Sequence, residues 1–175
     1  MSRTFGIVGT GAWGTALAHV ARSAGHAVGL WSRGTPDPNA LARADALILA
    51  VPAQALREAL TIIAPAVAAR QPLIVSAKGI EQGTGLFMNE VVADVLPQAE
   101  PMVLSGPSFA ADVMKGLPTA VVMAAQDIAD ARHWAEALSL PHFRIYASDD
   151  VLGVEIGGAL KNVLAIACGI SDGRG

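Results

Sequence analysis

Thr4-Phe5-Gly6-Ile7-Val8-Gly9-Thr10-Gly11-Ala12-Trp13-Gly14-Thr15-Ala16-Leu17 opens the chain with a short apolar run, a glycine turn and the start of a helical repeat. Apolar residues recur at Trp13, Ala16, Leu17, Val20 and Ala24, and Gly25 follows where a helix C-cap takes a left-handed residue. A second apolar run, Ala27–Ser32, completes a strand-helix-strand unit. The spacing of Gly9, Gly11 and Gly14 between strand and helix is that of a dinucleotide fingerprint. Gly9 permits the tight turn, Gly11 lets backbone approach a pyrophosphate, and Gly14 lets helix and strand pack closely. Ala12 and Trp13 then begin a helix whose free N–H groups face anionic oxygens. After the second strand stands Ser32-Arg33, with no acidic residue between Gly29 and Thr35. An acid there would accept from ribose hydroxyls, whereas arginine suits an added phosphate, so Arg33 points to NADP with NAD as the alternative.

Outward from this unit, short apolar runs keep alternating with amphipathic ones, the pattern of a doubly wound, mostly parallel α/β sheet of Rossmann type. Further strands are expected at Ala46–Val51, Leu73–Ala77, Met102–Leu104, Ala120–Ala124 and Phe143–Tyr146. Helices are expected at Ala53–Ala69, interrupted at Pro65, and at Leu86–Leu96, Phe109–Lys115 and Ile128–Leu138. Thr35-Pro36-Asp37-Pro38 reads as a tight turn. One domain therefore runs over residues 1–148. Residues 149–175 read as the first helix of a truncated helical domain, with Val151–Ile170 a buried helix rather than a membrane span because it carries Glu155, Lys161 and several glycines.

The composition is 53% hydrophobic and 15% charged, which suits a well-cored globular chain of 175 residues. A net charge of −3 supplies no basic field for nucleic acid. The single cysteine, Cys168, excludes an internal disulfide and reads as a buried inert thiol. With no basic-then-apolar leader before Thr4, the expected location is cytoplasmic. His19, His26, His133 and His142 show no ligand spacing and read as structural or exposed, so no metal site is expected.

Three later stretches narrow the reading. They are Ser76-Ala77-Lys78-Gly79-Ile80-Glu81, Leu104-Ser105-Gly106-Pro107-Ser108-Phe109-Ala110 with Gly116-Leu117-Pro118-Thr119-Ala120, and Gly153-Val154-Glu155-Ile156-Gly157-Gly158-Ala159-Leu160-Lys161-Asn162. Together with the opening fingerprint they resemble bacterial-type glycerol-3-phosphate dehydrogenase. The resemblance implies reversible, NAD(P)-dependent conversion of glycerol 3-phosphate to dihydroxyacetone phosphate for glycerophospholipid synthesis, in a family that can form homodimers. Two departures stand out. The segment Gly34–Arg43 is much shorter than in that family, and of the family's helical domain, which brings a further Asp and Arg to the substrate, only the first helix is present.

Ketone reduction needs a hydride donor on one face and a proton donor at the oxygen, and a desolvated lysine can serve as the latter. Lys161, in an apolar helix, fits that role, and the resemblance implies that it is the proton acceptor in the oxidative direction. Lys78 falls just past a strand's carboxyl end, where ligands bind in open α/β sheets. The resemblance makes it a second active-site lysine holding substrate or cofactor, whereas position alone also allows a solvated loop lysine. Gly106 and Ser108 are implied to touch substrate and Ala110 the cofactor, and Asn162 is a further substrate partner. Ser108 also reads as a plain N-cap serine. A dinucleotide-binding module without turnover is the competing reading. Hydroxyacid and sugar-nucleotide dehydrogenases form a third, opposed by the stretches around Lys78 and Ser108.

Overall fold

The computed structural model describes residues 1–34 and 37–174, the side chains of Ala40 and Asn162 excepted. Among these residues seven strands form one sheet: β1 (Thr4–Val8), β2 (Ala27–Trp31), β3 (Ala46–Leu49), β4 (Pro72–Val75), β5 (Glu100–Ser105), β6 (Thr119–Ala124) and β7 (Phe143–Ser148). Their spatial order is β2-β1-β3-β4-β5-β6-β7, parallel except where β6 runs antiparallel to β5. Among the described residues six helices accompany it: α1 (Ala12–Ser23), α2 (Leu56–Ile63), α3 (Met88–Val95), α4 (Ala110–Met114), α5 (Ile128–Leu138) and α6 (Val151–Gly173). Pro65 ends α2 as expected, but 3₁₀ turns at Ala53–Ala55 and Ala64–Ala66 replace the outer turns of the longer helix read from sequence. Thr35 and Pro36 of the expected turn lie outside the described residues. Pro38–Ala40 forms a 3₁₀ turn, opened by Asp37 Oδ1 accepting from Asn39 N at 2.9 Å.

Strand alternation divides the core between the two faces of the sheet. Phe5, Ile7, Ala46 and Ile48 point one way, into a cluster with Leu17, Val20, Trp134 and Leu138. Val8, Leu47, Leu49 and Val75 point the other way, against Leu56, Leu60, Ile63 and Val92. Each fully buried Val, Leu, Ile or Phe among them contributes about 1.5–3 kcal/mol by removal from water. Both faces being covered explains why β3 reads as an unbroken apolar run.

Two expectations fail at α6. The sequence predicts a buried helix, yet residues 163–174 are all exposed, with Val163, Leu164 and Ile166 each more than 60% accessible. Cys168 is correspondingly an exposed thiol, not a buried one. The physical reason is placement: α6 meets β5 and β6 through its first half, and its second half extends past the sheet. At 23 residues and a mean hydropathy of 1.6 over its most apolar window, α6 is long and apolar enough by length and composition alone to cross a bilayer.

Candidate active site

The glycine turn lies where the fingerprint requires it. Gly9 has φ +107°, and an added Cβ would stand 2.7 Å from Ala50 O. A Cβ on Gly14 would overlap the carbonyl oxygen of Gly9, whereas one on Gly11 would meet nothing within 4 Å. Gly9 and Gly14 are therefore demanded by the protein's own backbone, and Gly11 by the open space in front of it. No side chain caps the N-terminus of α1, so the amides of Ala12, Trp13 and Gly14 face that space.

Two hollows meet at Gly11. One, of about 190 Å³, is lined by Gly9, Thr10, Trp31, Ser32, Arg33 and Ala59 among others, and ends at Arg33. The second, of about 470 Å³, includes Ala12, Trp13, Ala77, Lys78, Ser108, Phe109 and Ala110 in its walls. Together they fit a dinucleotide laid across the carboxyl ends of β1, β3 and β4. Trp13 lines the larger hollow and Trp31 the smaller, and their indole N–H groups are buried with no hydrogen-bond partner among the described residues. Arg33 Nη1 lies 3.5 Å from Glu58 Oε2 at the exposed rim, a pairing weak enough for a phosphate to displace.

Lys78 follows β4, and its Nζ donates to Gly106 O at 2.7 Å, tying the β4 loop to the end of β5. Burial holds the Lys78 ammonium below the ordinary lysine range, and the charge of Lys161 lowers it further. Gly106 has φ +155°, and a Cβ there would lie 2.9 Å from Val121 Cα, so only glycine delivers that carbonyl to the lysine. Ser108 Oγ reaches Gly106 O at 3.4 Å. The N-cap expectation for Ser108 is corrected: α4 starts at Ala110, with Phe109 in the cap position, because the chain stays extended through Phe109.

Lys161 is half-buried rather than enclosed in an apolar helix, which corrects the sequence expectation. Its Nζ sits 5.1 Å from the ring centroid of Phe109, and it joins Ser105, Gly106, Pro107, Gly157 and Gly158 around a cavity of about 290 Å³. The ring holds the cation without neutralising it. Lys78, Gly106, Ser108, Ala110 and Lys161 are thus brought together, while Arg33 stands at the far end of the groove. Asn162, also expected at the site, has a side chain outside the described residues.

Several contributors are not evident from the sequence. Phe109 has no polar group to mark it as part of a site. Gly158 is where α6 crosses the carboxyl end of β5, since a Cβ there would lie 2.5 Å from Ser105 Oγ and 3.6 Å from Lys78 Cγ. Arg57 of α2 holds the loop after Lys78 by pairing with both oxygens of Glu81 at 2.9 Å and with Asp94 Oδ2 at 2.5 Å. That pairing keeps the Glu81 carboxyl below the usual range, aided by the Thr84 hydroxyl at 2.6 Å. Among the described residues no cluster of His, Cys, Asp and Glu could hold a metal ion. His26 has a structural place: Nδ1 accepts from Arg3 N at 3.2 Å, leaving Nε2–H to donate to Ala137 O at 2.7 Å.

Comparison with known proteins bears on the family and the fold. A family profile described as NAD-dependent glycerol-3-phosphate dehydrogenase N-terminus matches residues 34–131, and one described as the C-terminus of the same enzyme matches residues 150–175. The chain is similar to glycerol-3-phosphate dehydrogenase (NAD(P)+) of Rhodopseudomonas palustris strain BisA53, 48% identical over 195 aligned positions, covering 96% of this chain and 60% of the relative. The homonymous protein of Azorhizobium caulinodans is 50% identical over 197 positions, covering 97% and 60%. Among solved structures, glycerol-3-phosphate dehydrogenase from Coxiella burnetii superposes with a TM-score of 0.88 at 34% identity, covering 98% of this chain and 62% of that one. The chain thus spans about 60% of the length of the curated relatives it matches.

Proposed function

The chain belongs to the NAD-dependent glycerol-3-phosphate dehydrogenase family, and on that premise we propose that it binds NADP(H), with NAD(H) as second choice, and serves the interconversion of sn-glycerol 3-phosphate and dihydroxyacetone phosphate. The observation that carries this reading is the meeting of Lys78 and Lys161 at the carboxyl end of β4 and β5, beside a groove that begins at the glycine turn. Bound nicotinamide supplies or takes up the hydride. The chain's residues do the remainder. Lys161 gives a proton from Nζ to the ketone oxygen in reduction and takes it back from the hydroxyl in oxidation. Lys78, pinned to Gly106 O, presents a fixed positive charge to the substrate's oxygens. The α1 amides and Trp13 hold the pyrophosphate side, and Arg33 selects at the ribose end by exchanging Glu58 for a phosphate.

The test is titration with NADPH and NADH, followed by dihydroxyacetone phosphate while cofactor absorbance is recorded. Cofactor oxidation abolished by Lys161→Ala supports the enzyme reading. Binding without oxidation supports the competing one, a cofactor-binding module. Absence of binding rejects both.

A further inference from the structure

Among the described residues Glu155 is the only charged side chain in the buried class, 7% exposed, and the catalytic scheme above gives it no task. A lone carboxylate in an apolar setting costs free energy unless something holds its charge. Its partner is the start of another helix: Oε1 accepts from Asn89 N at 3.0 Å, and the Met88 amide also favours the charged form. Met88 and Asn89 are the first two residues of α3, whose amides have no partner within their own helix. The local acid, Glu90, is already spent on Phe87 N at 2.8 Å. Glu155 therefore caps α3 from a helix more than sixty residues away in sequence. Its other oxygen, Oε2, has no hydrogen-bond partner among the described residues, and Asn89 Oδ1 is likewise buried without one. Glu155 also shares the wall of a small cavity with Lys78, Gly79, Ser105 and Gly158.

These contacts join three pieces. α3 begins where the Lys78 loop ends, with Ile80 and Phe87 closing that loop by a bridge. α6 carries Lys161 less than two turns beyond Glu155. We propose that Glu155 is a positioning residue, its carboxylate clamping α6 to the end of the Lys78 loop and thereby setting the spacing of Lys78 and Lys161. The proposal rests on the reading of those two lysines as the reacting cations. It requires Glu155 to act as an acceptor at the α3 amides, not as an acid or base toward substrate.

The chain has three lysines, Lys78, Lys115 and Lys161, and Lys115, exposed at the C-terminal end of α4 and absent from the wall of the small cavity, provides an internal reference. The test is labelling of the intact chain with an amine-reactive acylating reagent, read residue by residue by mass spectrometry, in wild type, Glu155→Ala and Glu155→Gln. Loss of the acceptor in Glu155→Ala is expected to raise labelling of Lys78 roughly tenfold, the scale of losing a hydrogen bond to a charged group. Lys161 rises less because it starts half-exposed, and Lys115 stays unchanged. Glu155→Gln, which keeps an acceptor, stays near wild type. Should Glu155→Ala fail to fold, Glu155→Met, close in volume and without an acceptor at that position, carries the same expectation. Unchanged labelling at Lys78, an equal rise at Lys115, or a Gln variant that behaves like Ala each overturns the proposal. The readout needs no turnover: inactivity of the wild type with the labelling pattern intact would remove the catalytic reading and leave the clamp standing.

Discussion

A Cβ added to Gly14 strikes the Gly9 carbonyl, while one added to Gly11 enters open space, so two glycines of the same motif answer to different demands. Gly14→Ala is expected to cost about 1–3 kcal/mol of stability and to weaken NADPH binding. Gly11→Ala is expected to keep its Tm and still lose about tenfold or more in affinity, because its methyl group occupies the place of the pyrophosphate. Thermal melts paired with titrations separate the two, and equal Tm losses would contradict the assignment. Glu155 yields a pH prediction. Burial raises its carboxyl above the ordinary 4.5, opposed by the amides of Asn89 and Met88, with Glu90 adding to the rise. A raised folded-state value means that the contribution to stability is fully present below 4.5 and is lost as pH rises through the folded value. Relative to wild type, Glu155→Gln is therefore expected to gain Tm from about pH 5 upward as the wild-type carboxyl ionises, and a difference that shrinks with pH would refute it. The glycine spacing was legible because Gly9, Gly11 and Gly14 act within one local stretch of sequence. Glu155 was not, since its partner amide lies at Asn89 and nothing in a lone acid names a distant helix.

The neighbouring glycines of α6 differ in the same way at the scale of the element. A methyl group added at Gly157 would have nothing within 4 Å, whereas one at Gly158 would lie against Ser105 and Lys78. Gly158→Val is expected to push α6 off β5 and lower Tm by several degrees, the result of about 1–3 kcal/mol of overpacking. Gly157→Val is expected to leave Tm nearly unchanged. Equal losses would show that α6 does not dock where described. Periodicity placed α5 at its observed bounds, since Asp127 caps it by accepting from Ala129 N at 2.8 Å and its apolar face is regular. It misplaced the start of α4, because the chain through Gly106 and Ser108 is shaped by Lys78 reaching across from β4, a contact between residues far apart in sequence.

On the scale of the whole molecule, the sheet with its two apolar faces is one body, and α6 leaves it after about its midpoint. Residues 163–174 are exposed throughout, so their removal takes away little buried surface. A chain ending at residue 162 is expected to keep its Tm within about 2 °C of the full chain, and a larger fall would mean that the outer turns bear on the core. Alternating runs of strand and helix made the α/β sheet legible, because the central strands β1, β3 and β4 are covered on both faces and so read as nearly continuous apolar runs. The exposure of α6 was not, because an apolar helix looks the same in sequence whether or not anything covers it. The central claim is that the groove from Arg33 through Gly11 to Lys78 holds NADP(H). Tryptophan fluorescence reads it directly, with Trp31 in one hollow and Trp13 in the other. Saturable quenching by NADPH is expected, tighter than by NADH, with the difference removed by Arg33→Ala and the affinity lowered about tenfold or more in Gly11→Ala. Absence of saturable quenching, or equal affinity in the Gly11 variant, would contradict it.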